Sequence, residues 1–236
     1  MKKILSLFLL VSSTLLASEY YAKLNPINTY TVKSAVSGKV IFVNTEIKSK
    51  KAENSIIVKI DSTVNVEDLK QSQIKLKNLK EILKIEQGTL KSFKKVSSKS
   101  KFDKDNQRIK IFNIASNISD LETRIATLKD TIQNKTLEEN DNYIYDIAVE
   151  IGDYVNPGVV LYSSMDLSAG KLEIFIPIDN VNDIQNKTIF IDGQETELKI
   201  SKLYKVADST HISSYKCEII VPSPKRFSSL LKIEFK

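Results

Sequence analysis

An unbroken heptad ladder constrains this chain more than any other feature. Ile111, Ile114, Ile118, Leu121, Ile125, Leu128 and Ile132 alternate spacings of three and four, with mostly polar residues between them. That spacing predicts a helix with a narrow apolar seam packed on another helix. Upstream, Leu69, Leu76, Leu83 and Leu90 repeat every seven residues, and Leu79, Ile82 and Phe93 are expected to widen that stripe. A short polar stretch, Ser97 to Lys101, separates the two runs. The expectation is an antiparallel helical hairpin, its first helix running from about Val64 to Val96 and its second ending at Asn140-Asp141-Asn142. Arms of about 32 residues rising ~1.5 Å each make a rod of about 48 Å. A rod of that length projects from a small domain rather than lying inside it.

Several local signals punctuate the rod. Asp61, Ser62 and Thr63 are candidate N-caps for the first helix, with Glu67 and Asp68 expected in its first turn, where they favour the helix dipole. Ser100-Lys101-Phe102-Asp103 resembles a capping box opening the second. Gly88 is a weak point within the first helix, costing about 1 kcal/mol relative to Ala.

The ends of the chain read differently. Lys2 and Lys3 precede an apolar run from Ile4 to Leu16, followed by a candidate cleavage point at Ala17 or Ser18. This is expected to be a secretory signal peptide, residues 1–18, with an uncleaved anchor as the alternative. Ser18 stands where a lipoprotein would carry its acylated Cys, which excludes lipidation by that route. Cys217 is the only cysteine, so no internal disulfide forms, and an exported chain of this kind suits the periplasm. The net charge of +6 comes almost wholly from Lys interleaved with Glu and Asp. That pattern is a solvated surface, and with export it argues against nucleic-acid binding.

Outside the rod the period switches to two. Short strands are expected at Tyr20–Leu24 and Tyr30–Val36, split by Asn25-Pro26, then around Val40–Val43 and Ile56–Ile60. After the rod come Tyr143–Val149, Tyr154–Val155, Val159–Tyr162, Lys171–Ile178, Thr188–Ile191, Glu197–Ile200, Tyr215–Val221 and Leu231–Phe235. Their spacing fits a small sandwich or barrel. The fold class is therefore α+β, with a helical hairpin inserted into a β domain whose two halves flank it.

The flanking segments carry a resemblance. Val36-Ser37-Gly38-Lys39-Val40 through Ile56 to Asp61 forms one half, and Ile147 to Tyr162 the other. The second half, with Gly152-Asp153, Val155, Gly158 and Leu161, is similar to the turn pattern of lipoyl and biotinyl domains. A split lipoyl-like domain with an inserted coiled-coil hairpin, followed by a β-barrel, resembles the periplasmic adaptor (membrane fusion) proteins over nearly the whole mature chain. The resemblance implies six segments: signal 1–18; N-terminal strands 19–35 of a barrel or membrane-proximal domain; lipoyl-like halves 36–61 and 141–165; hairpin 62–140; and barrel-like domain 166–236. Because the sequence stops at Lys236, any membrane-proximal domain is expected to be truncated or built mainly from Tyr20 to Tyr30.

The resemblance further implies a role in efflux, with three partners. These are an inner-membrane transporter (RND type favoured, ABC type as alternative), a TolC-like outer-membrane channel, and further copies of the chain in a ring. The hairpin end would meet the channel through Lys94, Lys95, Val96 and Ser100. Catalytic, cofactor and metal sites are not expected. A lipoate or biotin carrier needs a modified Lys on the turn that the rod replaces, His211 is the only histidine and lies in a polar run, and carboxylates are scattered along solvated helix faces. A structural or adhesive envelope protein without a transport role is the alternative; it gives no reason for lipoyl-like halves flanking the rod.

Overall fold

Gly38 starts the strand that organises the first unit of the computed structural model, which describes residues 19–236. The expected signal segment lies outside the described residues. A Cβ at Gly38 would meet Ile60 Cγ2 at 2.5 Å, so only glycine admits the close approach of this strand to the one that ends at Ile60. Elements are numbered along the chain: β1 Glu19–Lys23, β2 Asn25–Lys33, β3 Gly38–Val43, β4 Ser55–Ile60, α1 Thr63–Lys95, α2 Lys101–Gln133, β5 Thr136–Glu139, β6 Tyr143–Ile147, β7 Tyr154–Val155, β8 Val160–Pro177, α3 Val181–Ile184, β9 Ile189–Ile191, β10 Gln194–Glu195, β11 Ile200–Leu203, β12 Ser214–Pro222 and β13 Leu230–Phe235.

The chain divides into two units. One is Tyr30–Ser164 and holds both long helices; the other combines the described residues before Tyr30 with Met165–Lys236. In the first unit an antiparallel sheet has the order β5-β4-β3-β7, with Val40 opposite Ile60, Lys59 opposite Thr136, and Gly38 opposite Val155. Strands from before and after the helices thus interleave in one sheet. They close one core of Val40, Val43, Ala52, Ile57, Val58, Ile60, Ile144, Val149, Val155, Leu161 and Tyr162.

The turn residues Gly152, Asp153 and Gly158 hold this core shut. Gly152 and Gly158 have φ of 105° and 92°, a region that side chains disfavour. Gly152 N–H donates to the Val40 carbonyl (2.9 Å) and Gly158 N–H to the Ser34 carbonyl (2.8 Å). Asp153 bridges both sides: its carbonyl accepts from Val40 N–H (2.8 Å) and its carboxylate from Glu150 N–H (2.8 Å).

The second unit is mostly β. β12 pairs along the later part of β8 from Ser214–Pro177 to Pro222–Ala169, and β11 pairs with β12. The other sheet runs β1-β13-β9-β10. Between them lies a core including Ala22, Leu24, Leu172, Ile174, Ile176, Ile189, Cys217, Ile219, Ile233 and Phe235.

Four sequence expectations need correction. The second helix ends at Gln133 rather than near 140, because the apolar ladder stops at Ile132 and Thr136–Glu139 instead pairs with β4. Val159–Tyr162 and Lys171–Ile178 are parts of one 18-residue strand, β8. The strand expected at Glu197–Ile200 begins only at Ile200. Asn25-Pro26 does not divide two strands but opens β2, the position where a strand tolerates proline's missing N–H.

Candidate functional site

The hairpin is built from its root outward. At the root, Lys135 follows α2 and is buried, and its ammonium donates to the Asp61 carbonyl oxygen (2.5 Å) and to Asn65 Oδ1 (2.7 Å). The end of α2 is thereby tied to the start of α1. Asp61 accepts from Thr63 Oγ1 (2.7 Å) and Thr63 N–H (2.9 Å), and these bonds, with a smaller contribution from Lys135, hold its carboxyl below the usual carboxylate range. Of the three candidate caps, Asp61 therefore acts; Ser62 makes no side-chain cap, and because α1 already begins at Thr63 its first turn holds no acidic residue, so Glu67 and Asp68, expected there, fall beyond it.

Along the rod the ladder is visible in burial. Ile114, Ile118 and Ile125 are buried, and Ile111, Leu121, Leu128 and Ile132 are partly buried. Facing them on α1, Leu69, Leu76, Leu79, Leu83, Leu90 and Phe93 are partly covered. Ile82, expected to widen this stripe, is 42% exposed and lies off the seam. Its place is taken by polar residues that sequence reading passed over: Ser72 and Glu86 continue the three-four spacing, and so does Gln107 on α2. Gln107 Nε2 donates to the Glu86 carbonyl (3.0 Å) and carboxylate (2.6 Å), while Lys110 pairs with the same carboxylate at 2.5 Å. The Lys110 and Gln107 bonds hold the Glu86 carboxyl below its ordinary range. Lys80–Glu122 (2.7 Å) and Arg124–Asp68 (3.3 Å) also cross between the helices, and all these pairs fix an antiparallel register.

The far end is a tight turn. Ser100 caps α2 reciprocally with Asp103: its hydroxyl accepts from Asp103 N–H (3.1 Å), and the Asp103 carboxylate accepts from Ser100 N–H (3.2 Å). The Ser100 hydroxyl also donates to the Asp103 carboxylate (3.0 Å), and that bond, with the one from Ser100 N–H, holds the Asp103 carboxyl below its usual range. The Lys99 ammonium sits 4.6 Å from the Phe93 ring centroid. Lys94, Lys95, Val96 and Ser100 are all exposed at this end. The Ser100 hydroxyl, however, is engaged in the cap. Phe102, beside it, is 73% exposed, and sequence reading noted it only as part of the cap. Residues 91–104 carry six lysines and one aspartate, and that aspartate is turned inward on the cap. The hairpin end is thus a strongly basic surface with two exposed apolar residues, Val96 and Phe102.

Elsewhere the described residues offer little chemistry. Among them no group of His, Cys, Asp and Glu is placed to hold a metal ion. His211 stacks on Phe175 with centroids 3.4 Å apart and lies 3.1 Å from Asp208. Cys217 is fully buried, and burial, with Glu218 nearby, pushes its thiol up to about 12. A groove of about 490 Å³ lies between Ile184–Ile189 and Thr196–Ile200, and the Thr196 hydroxyl on its wall donates to the Ile189 carbonyl (2.7 Å). Among the described residues no helix is long and apolar enough to cross a membrane.

No family model matches the chain, and no curated protein matches it. Solved structures do. MacA from Actinobacillus actinomycetemcomitans superposes with a TM-score of 0.72 at 18% identity, over 93% of this chain and 78% of that one. The membrane fusion protein Spr0693 from Streptococcus pneumoniae R6 gives 0.71 at 10% identity, over 93% and 98%. The fold is that of the membrane fusion proteins. A putative efflux transporter from Bacteroides eggerthii is similar at a TM-score of 0.64 and 11% identity, covering 93% of this chain and 68% of that one. At such identities the likeness to membrane fusion proteins is one of fold, and it spans both units.

Proposed function

We propose that this chain is a periplasmic adaptor joining an inner-membrane export pump to a TolC-like outer-membrane channel, for efflux of drugs or other small molecules. It works by binding and positioning rather than by catalysis. On this reading Tyr30–Ser164 is a split lipoyl-like domain carrying a coiled-coil hairpin, and the strands after it form a small barrel. The pump is of the RND type in preference to the ABC type. Several copies gather in a ring around the transport axis. Lys94, Lys95 and Val96 meet the channel, and Ser100 serves them by fixing the turn.

One observation carries the proposal. Two 33-residue helices, each about 50 Å long at 1.5 Å per residue, leave one small β core from adjacent strand ends, β4 and β5. Nothing in that core requires the rod, since Lys59 and Thr136 are already paired across its base. A lever fixed at its root by Lys135 and basic at its tip is suited to reaching a second component.

The test is to replace residues 62–133 by a short glycine turn in cells lacking the native gene and to measure accumulation of a panel of dyes and antibiotics. The intact chain should restore efflux, and the version without the hairpin should not, although its β core still folds. Full efflux without the hairpin would overturn the proposal.

A further inference from the structure

The β9–β10 ladder of the second unit opens instead of continuing. Its last bond runs from Thr196 N–H to the Ile189 carbonyl (3.0 Å), doubled by the Thr196 hydroxyl (2.7 Å). Beyond that point the two backbones part. On one side the chain turns through residues 185–187, with Lys187 N–H bonding back to the Ile184 carbonyl (3.2 Å). Thr188, next to the turn, exchanges both backbone bonds with Lys236 (2.8 and 3.1 Å). On the other side Glu197, Leu198 and Lys199 lead into β11 with no backbone partner among the described residues. The groove of about 490 Å³ occupies the gap.

This free stretch has the pattern of a strand. Thr196, Leu198 and Ile200 are half-buried, while Glu197 and Lys199 between them are exposed. Leu198 and Ile200 pack on the core of the unit. Amides two residues apart in an extended chain point to the same side, so Leu198 N–H follows Thr196 N–H toward the groove. β11 prolongs the edge, since it pairs with β12 on one side and is the outermost strand of its sheet.

An unmatched backbone edge accepts another strand, and the side chains along it decide which. Lys187 and Lys199 stand on the groove and Lys202 on the continuing edge, all exposed, with Glu197 as the one carboxylate among them. A second copy laid antiparallel on this edge would bring its own lysines against Lys199 and Lys202, and like charges opposed across strands are destabilising. A strand with carboxylates at alternate positions gains from the same lysines. Its remaining positions fall on the side of Leu198 and Ile200, where apolar residues fit.

We propose that residues 197–203 form a strand-addition edge for an extended acidic peptide of a partner protein, in which apolar and carboxylate residues alternate, with the backbone of Leu198 opening the added ladder. The inference goes beyond the adaptor reading and does not depend on it.

Fluorescence anisotropy and hydrogen exchange on the full chain test it. The probes are short blocked peptides in which valine alternates with glutamate, with serine or with lysine, and a glutamate peptide N-methylated along one edge. The glutamate peptide should bind roughly tenfold more tightly than the serine peptide, and this advantage should shrink as salt is raised. The lysine and N-methylated peptides should not bind. Binding should slow exchange of the Leu198 amide, which has no partner in the chain alone. Lys187→Glu/Lys199→Glu, two exposed substitutions that leave the fold intact, should reverse the preference between the glutamate and lysine peptides. Equal binding of the glutamate and serine peptides, binding that survives N-methylation, or an unchanged Leu198 amide would each overturn the inference. Protection of that amide that rises with protein concentration, without peptide, would put a second copy on the edge and overturn the acidic partner.

Discussion

Gln107 and Glu86 face each other inside the hairpin seam, the amide of Gln107 donating both to the Glu86 backbone carbonyl at 3.0 Å and to its carboxylate at 2.6 Å. This polar layer interrupts an otherwise mainly aliphatic ladder about ten residues short of the tip. Removing Gln107 leaves the mostly covered Glu86 carboxylate with Lys110 as its one remaining partner, whereas removing both releases only Lys110, whose side chain is exposed enough for water to take over its bond. Gln107→Leu alone should therefore lower the melting temperature of the helical signal by a few degrees. The Glu86→Leu/Gln107→Leu pair should melt at or above the native chain. Circular dichroism at 222 nm measures both, and a double variant less stable than either single one would refute the explanation.

The same layer makes the distal hairpin sensitive to acid. The folded-state pKa values of Glu86 and Asp103 are depressed, chiefly by bonds to Lys110 and Gln107 and to Ser100 respectively. A group with a depressed folded pKa contributes stability above its unfolded pKa and loses it as pH falls through the folded value. The stabilising contribution should thus be complete at neutral pH and decline below about pH 4. Hydrogen exchange of amides 86–107 should accelerate there before those of the seam from Ile114 to Ile132. Glu86→Gln together with Asp103→Asn should flatten this dependence.

Burial follows sequence most closely where spacing alone decides. From Arg108 to Asp130 every ladder residue of α2 is covered and every other residue is exposed. α1 was less legible. Leucines every seven residues mark one row of its seam, but the second row passes through Ser72 and Glu86, whose polarity hides them, while the apolar Ile82 lies off the seam and exposed. Thr136–Glu139 has no apolar alternation to mark it as a strand; pairing with β4 decides it. The Gly152 and Gly158 turns were legible because their positive φ favours glycine. Phe102 was hidden for another reason: exposure is a property of the finished turn, and the sequence showed only that it lies inside a capping box.

Lys135 should govern the hairpin root. It satisfies the Asp61 carbonyl and the Asn65 side chain at once. Lys135→Met keeps the aliphatic stem and leaves both acceptors unpaired, at a cost of about 1–3 kcal/mol. Urea unfolding should show this loss, while the distal helices retain their circular dichroism. A variant as stable as the native chain would mean that water replaces the ammonium without penalty.

The seam itself should tolerate charge poorly. Ile118 is buried, and Leu121 lies partly covered on the same stripe. Ile118→Asp places an unpaired carboxylate between the helices, at a cost of several kcal/mol. Helical signal and melting temperature should both fall, and Leu121→Asp should do the same to a smaller extent because it is less covered. An unchanged melt for Ile118→Asp would contradict the packing described above.

The hairpin end yields the prediction that bears most directly on function. Val96 and Phe102 are its exposed apolar residues, at 46% and 73%, and lysines surround them. Phe102 is the larger and the more exposed, and a buried aromatic contributes more to an interface than a rim charge, which is worth little singly. Phe102→Ser should therefore reduce efflux more than Lys94→Ala, and Val96→Asp should do so as well. A Lys94→Glu/Lys95→Glu variant should weaken efflux further as salt is lowered, since charge repulsion grows as screening falls. None of these positions supports the fold, because none is buried and the Ser100–Asp103 cap remains intact. Melting temperature should stay within a degree or two of the native chain. Efflux is measured in cells with matched protein levels. If Phe102→Ser, Val96→Asp and the double glutamate variant all export normally, the tip is not the contact, and the adaptor reading would then require another surface of the rod.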